Sequence, residues 1–387
     1  MDPVRRALVR LLAPALCALV AVAGCAAPAP PADAEVRRAV ADWAAAPPAR
    51  LASIPLEGWS YEVTSVRRDG ARADVRAELR YRLAGYDTAA AGSARELTLT
   101  RSDGGSGSGS GGTAWRVTAE RPAPGAPAQL WDQPDPVAVV RGAHCLVLGA
   151  GQSPQTLAGI AAEADRAVPA ASAAWPGPWA RRVVVLVPAT LDAMAALLGR
   201  PADAYRGMGA VTTGATGGGP APADRVVVNP EGYAELSQAG RQTVLTHETT
   251  HVATRTATTA RTPQWLSEGF ADWAAYRDGP LGPAEAAPTL ARAVRLGDLP
   301  AALPADGAFA FGGGQDAMAR AYEGAWLACR LIAARWGDAA LDRLYALAGR
   351  EPLPTALDQA LGTDLPALTK AWQQALREDL GQGTSEE

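Results

Sequence analysis

The sequence predicts an α+β chain: a short helix and an antiparallel sheet first, then a mixed sheet interleaved with helices. Three observations carry this. Between residues 34 and 121, one stretch of helical spacing precedes four stretches in which apolar and polar residues alternate. Beyond residue 136, short and wholly apolar runs take turns with helical ones. The last third of the chain keeps helical periodicity almost throughout.

Each element has its own signal. In "EVRRAVADWAAA", Val36, Val40 and Trp43 fall at helical spacing. After Pro47-Pro48 come "WSYEVTSVRR", "ARADVRAELRYRL", "ARELTLTRS" and "TAWRVTAE", which read as strands with one wet face. Asp69-Gly70 is a hairpin turn signal, and "GGSGSGSGG" over 104–112 is a flexible loop between the last two strands. No catalytic cluster falls within 34–121, so this part reads as a small spacer or docking domain. In element order, a helix followed by a curved sheet, it resembles nuclear transport factor 2-like domains. The proline-rich stretch 122–136 reads as a linker. A second domain, 137–380, begins with "VAVVRGAHCLVLGAG", which holds one or two strands, and the helical "SPQTLAGIAAEADRAVPAASAAW". "RRVVVLVPA" and "RVVVNP" are further strands, with "TTGATGGGPAPAD" a long loop between them. The closing amphipathic helices would wall one side of a cleft, and 381–387 is a tail.

The first 25 residues read as a targeting segment. Arg5, Arg6 and Arg10 precede an apolar run, 11–22, too short to span a bilayer comfortably. "VAGC" ending at Cys25 resembles the lipobox of bacterial lipoproteins. That resemblance implies lipidation of Cys25, a tether over 26–33, and an extracytoplasmic protein held to the cell membrane by its acyl chains. An ordinary secretory signal with a chance cysteine is the alternative. Cys145 and Cys329 are then the remaining cysteines, either a disulfide in an oxidising compartment or two buried thiols. Apolar residues make up 48% of the 387, enough for a sizeable core, and the net charge of −4 with a single lysine, Lys370, argues against nucleic-acid binding.

Chemistry concentrates in "RQTVLTHETTHVATR". On a helix, His247 and His251 share one face one turn apart, about 6 Å between Cβ atoms, which suits two imidazoles on one ion. Glu248 stands beside such an ion and could take a proton from water. Catalytic zinc wants a third protein ligand. Glu268, in "TPQWLSEGFADW", supplies it if Thr262 caps and Pro263 opens that helix. Asp272, one turn on, would then hold the far nitrogen of a ligand histidine.

"HETTH" followed by "WLSEGFADW" resembles the gluzincin metallopeptidases of the MA clan, over roughly residues 138–380. The resemblance implies a zincin-like fold with a mixed sheet, the histidine-bearing helix and a helical C-terminal part. It implies Zn2+ on His247, His251 and Glu268, with Glu248 as general base. It also implies Asp272 as orienting carboxylate, a peptide or protein substrate, and a substrate-holding sheet edge at "DRVVVNP". The downstream histidine of thermolysin-like enzymes has no counterpart. Aminopeptidase-N-type relatives use a tyrosine as oxyanion donor, for which Tyr322 is the candidate and Tyr276 the runner-up. Their G-x-M-E-N exopeptidase motif is not matched by "GMGAV", residues 207–211. His144 enters an apolar strand and reads as structural, and no serine stands in a nucleophile-elbow context. The expected function is a zinc-dependent peptide-bond hydrolase at the cell surface. The competing expectation is a catalytically silent lipoprotein that binds or scaffolds.

Overall fold

Along Arg72–Leu83 every second side chain is buried, and this period-2 pattern sets one face of the first sheet against a core. The computed structural model describes residues 31–102, 114–214, 221–310 and 314–381. The signal segment with Cys25, the Gly/Ser loop and the tail beyond 381 lie outside them. Helix α1 (Pro31–Trp43) is followed by β1 (Leu56–Asp69), β2 (Arg72–Leu83), β3 (Ala91–Ser102) and β4 (Ala114–Pro122), an antiparallel meander in sequence order. Val36 and Val40 of α1 lie on Val75, Ala77, Leu97, Leu99 and Trp115 of that sheet. Trp43, expected on the same face, stays partly exposed with its ring edge-on to Tyr61. Gly70 turns β1 into β2 at φ 56, a left-handed conformation that glycine adopts without steric cost.

The second sheet has the order β5-β6-β7-β9-β8. Its strands are β5 (Val137–Arg141), β6 (Cys145–Ala150), β7 (Val183–Val187), β8 (Ala210–Thr213) and β9 (Arg225–Val228). β6, β7 and β9 run parallel, while β5 and β8 are antiparallel to their neighbours, so the sheet is mixed. β6 is buried at every position, as a strand covered on both faces must be. Helices α2 (Pro154–Ala174) and α5 (Gln238–Thr254) cover one face, where Leu157, Ile160 and Leu245 meet Val147, Val185 and Val226. Short helices α3 (Leu191–Leu198) and α4 (Pro230–Glu235) lie between them in the chain.

The other face is covered by the first sheet. Leu79, Tyr81 and Leu83 of β2 share one core with Leu146, Leu148 and Val184, and Leu130 and Trp131 of the 122–136 stretch are buried in the same cluster. That stretch is pinned by charge as well. Arg95 on β3, 1% exposed, donates two bonds to Asp132 at 2.8 and 2.7 Å and a third to Glu120 of β4. Asp87, whose side chain is fully buried, accepts from Arg225 of β9 at 2.9 Å and from the backbone N–H of Ala223 at 2.8 Å.

The remaining elements are helical: α6 (Gln264–Tyr276), α7 (Pro283–Ala286), α8 (Pro288–Arg295), α9 (Gln315–Trp336), α10 (Asp338–Ala348), α11 (Leu353–Leu361) and α12 (Leu365–Leu380). Among the described residues no helix is long and apolar enough to cross a membrane. Trp265, Phe270 and Trp273 of α6 enter the largest core with Trp326, Ile332, Leu344 and Trp372. α6 crosses α9 closely at Gly269, where an added Cβ would stand 2.2 Å from the carbonyl oxygen of Ala325. Gly269→Ala should therefore push the two helices apart and destabilise the protein by about 1–3 kcal/mol. Thermal unfolding of the variant beside the parent measures this, and an unchanged Tm would mean that the crossing is not tight.

Candidate metal centre

α5 carries the two histidines, and its buried side is made largely of threonine. Such hydroxyls need partners away from water, and the helix supplies them itself. Thr246, Thr250, Thr254 and Thr258 each donate to the carbonyl four residues back, at 2.8–3.1 Å. Tyr345 of α10, fully buried, places its hydroxyl 2.8 Å from Thr258 Oγ1, 3.2 Å from Thr254 Oγ1 and 3.4 Å from Ser267 Oγ of α6. One phenol thus ties the two site-bearing helices together beneath the residues that face the cleft.

The start of α6 differs from the sequence expectation. Thr262 does not cap it, because its Oγ1 accepts from the N–H of Thr259, and Pro263 holds the cap position with no side-chain bond. The N–H of Gln264 donates instead to Asp306 Oδ1 at 2.9 Å, so the cap comes from a 3-10 turn (Asp306–Phe309) far along the chain.

The facing turns of α5 and α6 bring three donor atoms together. His247 Nε2 and His251 Nε2 are 3.0 Å apart, and Glu268 Oε2 lies 3.4 Å from the first and 3.3 Å from the second. Ligand atoms around a tetrahedral ion with bonds of about 2.0–2.2 Å lie about 3.3–3.6 Å apart, so the two sides to Glu268 match and the imidazole pair stands slightly closer. The donor set of two imidazoles and a carboxylate, 13–16% exposed and facing a cleft, fits zinc with one position left open. On the far side of the first imidazole, His247 Nδ1 and Asp272 Oδ1 are 2.7 Å apart. Such a bond fixes which ring nitrogen faces the cleft.

Electrostatics follow from the crowding. Burial works against a charged His247, but Asp272, Glu268 and Glu248 outweigh it and hold its proton well above the ordinary imidazole range. Burial likewise works against the Glu268 carboxylate, and the imidazoles of His251 and His247 hold it well below the usual carboxylate range.

Glu248 projects beside the triangle, 8% exposed. Its Oε2 accepts a 2.6 Å bond from Thr212 Oγ1, which also lies 3.1 Å from the Glu248 carbonyl oxygen. Thr212 belongs to β8 (Ala210–Thr213), a strand that local patterning does not separate from the Gly-rich loop beside it. β8, and not "DRVVVNP", is the sheet edge: β9 sits inside the sheet between β7 and β8. The N–H of Asn229 donates to the carbonyl of Gly209 at 2.9 Å. With Ala210 opposite Val228, that bond turns the backbone groups of Val211 and Thr213 toward β9 and those of Ala210 and Thr212 toward the open edge.

The cleft between β8, α5, α6 and α9 has a volume of about 400 Å³, and both candidate tyrosines line it. Tyr322 of α9 packs edge-on to Phe309 at 5.2 Å, and burial together with the carboxylates of Glu268, Asp272 and Glu248 pushes its phenol far up. Tyr276 stacks at 5.1 Å from Trp326, and burial pushes it up to about 12. Among the described residues no hydrogen bond occupies either hydroxyl. His144 lies elsewhere, in the exposed turn before β6 and not within the strand. Cys145 and Cys329 are both free buried thiols in different cores, which excludes the disulfide.

No family model matches the chain, and no curated protein matches it. Among solved structures it is similar to an M1 zinc metallopeptidase from Deinococcus radiodurans. The match has 18% identity over 87% of this chain and 62% of that one, at a TM-score of 0.33. A point mutant of that enzyme gives 18%, 87%, 63% and 0.34, and the mutant bound to a Tyr-Ser-Ala substrate gives 18%, 87%, 63% and 0.33. The chain spans less than two thirds of that enzyme's length.

Two outcomes follow from the geometry. Asp272→Asn should weaken zinc binding about 10- to 100-fold, read by competition with a chromogenic chelator. Because His247 keeps its proton above the ordinary range and a ligand must be neutral, zinc uptake at pH 7 should release a proton, and affinity should fall as pH is lowered. Calorimetry in buffers of different ionisation enthalpy measures the release; identical heats would count against it.

Proposed function

We propose that the chain is a zinc-dependent peptide-bond hydrolase of zincin-like architecture, with His247, His251 and Glu268 as the zinc ligands. The observation that carries this is the triangle of donor atoms with a buried carboxylate, Glu248, beside it in one cleft. Zinc in such a site polarises a carbonyl and acidifies water.

The chain's own residues supply the rest. Glu248, aimed by Thr212, takes the proton of the attacking water and passes it to the leaving amine. Asp272 keeps His247 oriented. Tyr322, with Tyr276 as the alternative, donates to the oxygen on which negative charge develops. The outward backbone groups of Ala210 and Thr212 pair with an extended peptide, as a free strand edge allows. Lipidation at Cys25 would hold this activity on the outer side of the cell membrane, with residues 34–121 as the spacer or docking part.

Glu248→Gln is the decisive variant. It should retain one zinc per chain and lose about 10²- to 10⁴-fold in peptide hydrolysis. Full activity in that variant would refute the role of Glu248. No hydrolysis by the zinc-loaded parent would leave the binding or scaffold reading.

A further inference from the structure

A second recess lies away from the metal centre. It opens at the carboxyl ends of β7 and β9, where Val187 and Val228 close their parallel strands. From β7 the chain leaves to α3, which packs on one face of the sheet with Val227. From β9 it leaves to α4 and α5, which pack on the other with Val228. Open sheets with parallel strands hold ligands at such a divergence. The recess measures about 240 Å³, below the roughly 300–1,000 Å³ of drug-sized pockets, so it suits a small occupant.

Two features of its lining point to a ligand. The first is a pair of charges. Glu163 of α2 is 7% exposed, and its Oε2 accepts a 2.7 Å bond from the Tyr233 hydroxyl, a neutral partner. Its Oε1 takes no hydrogen bond among the described residues. Arg241 of α5 stands beside it, with Nε 3.9 Å from Oε1, beyond hydrogen-bond length, and that N–H is buried without a partner. The second feature is Gly159. It lies inside α2, where glycine weakens a helix, yet an added Cβ would meet nothing within 4 Å. No packing contact calls for glycine there, and the space left open belongs to the recess. Ile160, Val187, Val228 and Pro230 make the wall apolar. The complement of this lining is an ammonium for Glu163, a carboxylate for Arg241 and an apolar group for the wall. An α-amino acid carries all three on one carbon. A ligand with only one of the charges leaves the other lining group unmet.

We infer that this recess binds a free apolar α-amino acid, at a site separate from the metal centre and independent of the hydrolase reading. Calorimetric titration of the full chain with L-leucine should give a Kd of about 1 mM or tighter. Leucinamide, which lacks the carboxylate, and 4-methylpentanoate, which lacks the ammonium, should each bind about tenfold or more weakly. Gly159→Leu fills the recess with a good helix former, and Arg241→Met removes the guanidinium while keeping an apolar stem. Both should keep the parent's Tm and bind leucine at least about tenfold more weakly. Should Arg241→Met fail to fold, Gly159→Leu decides alone. Leucine held instead by an ion on His247, His251 and Glu268 would bind both variants as it binds the parent. Undiminished binding in Gly159→Leu, no binding at about 10 mM leucine, or equal binding of the amide or the acid would each overturn the inference.

Discussion

The centre depends on one distance, that between α5 and α6. Two histidines on a helix make a pair, and only the approach of Glu268 makes a triangle. Glu268 is placed by what lies beneath it: Gly269 lets α6 sit against the Ala325 carbonyl, and Tyr345 bonds to both helices. The glycine after the glutamate is therefore a packing device, and the site above inherits its accuracy from a backbone contact. Preorganisation of this kind lets ligand side chains hold their geometry before any ion arrives.

Polar groups around the centre are arranged in depth. Thr212 aims Glu248, Asp272 aims His247, and the threonine ladder of α5 satisfies its hydroxyls without drawing on the site. Each carboxylate has one task, so like charges packed into a small space do not have to share a proton. The phenols of Tyr276 and Tyr322 are uncommitted donors in the cleft, and burial raises both well above the ordinary phenol range.

Much of this was legible in the sequence, and the parts that were not share a cause. The spacing of His247, His251, Glu268 and Asp272 is local to two helices, and helical periodicity alone brings each pair to one face. The alternating strands of the first sheet and the continuous apolar runs of β6 and β7 were equally plain. Strand order was not. Whether β8 or β9 forms the edge depends on pairing, and a four-residue strand beside glycines leaves a weak local trace. Thr212 was hidden with it. The Asp306 cap of α6 comes from 42 residues away, beyond any local signal. Leu130 and Trp131 sit among prolines that read as a connector, yet their burial joins the two sheets into one core.

Asp87 gives that shared core a mechanical meaning. It lies just past β2 and grips the start of β9 through Arg225 and the Ala223 amide. β9 in turn carries β8, and β8 carries the threonine that aims Glu248. Tension applied at the amino-terminal end of the molecule therefore has a short route to the floor of the cleft. It runs through a buried carboxylate and three strands, and it reaches the histidine-bearing helix too, because Asp224, between Ala223 and Arg225, accepts from Arg255 at the end of α5 at 2.7 Å. The cleft wall and the donor triangle would therefore take up such a load together, through adjacent residues at the head of one strand.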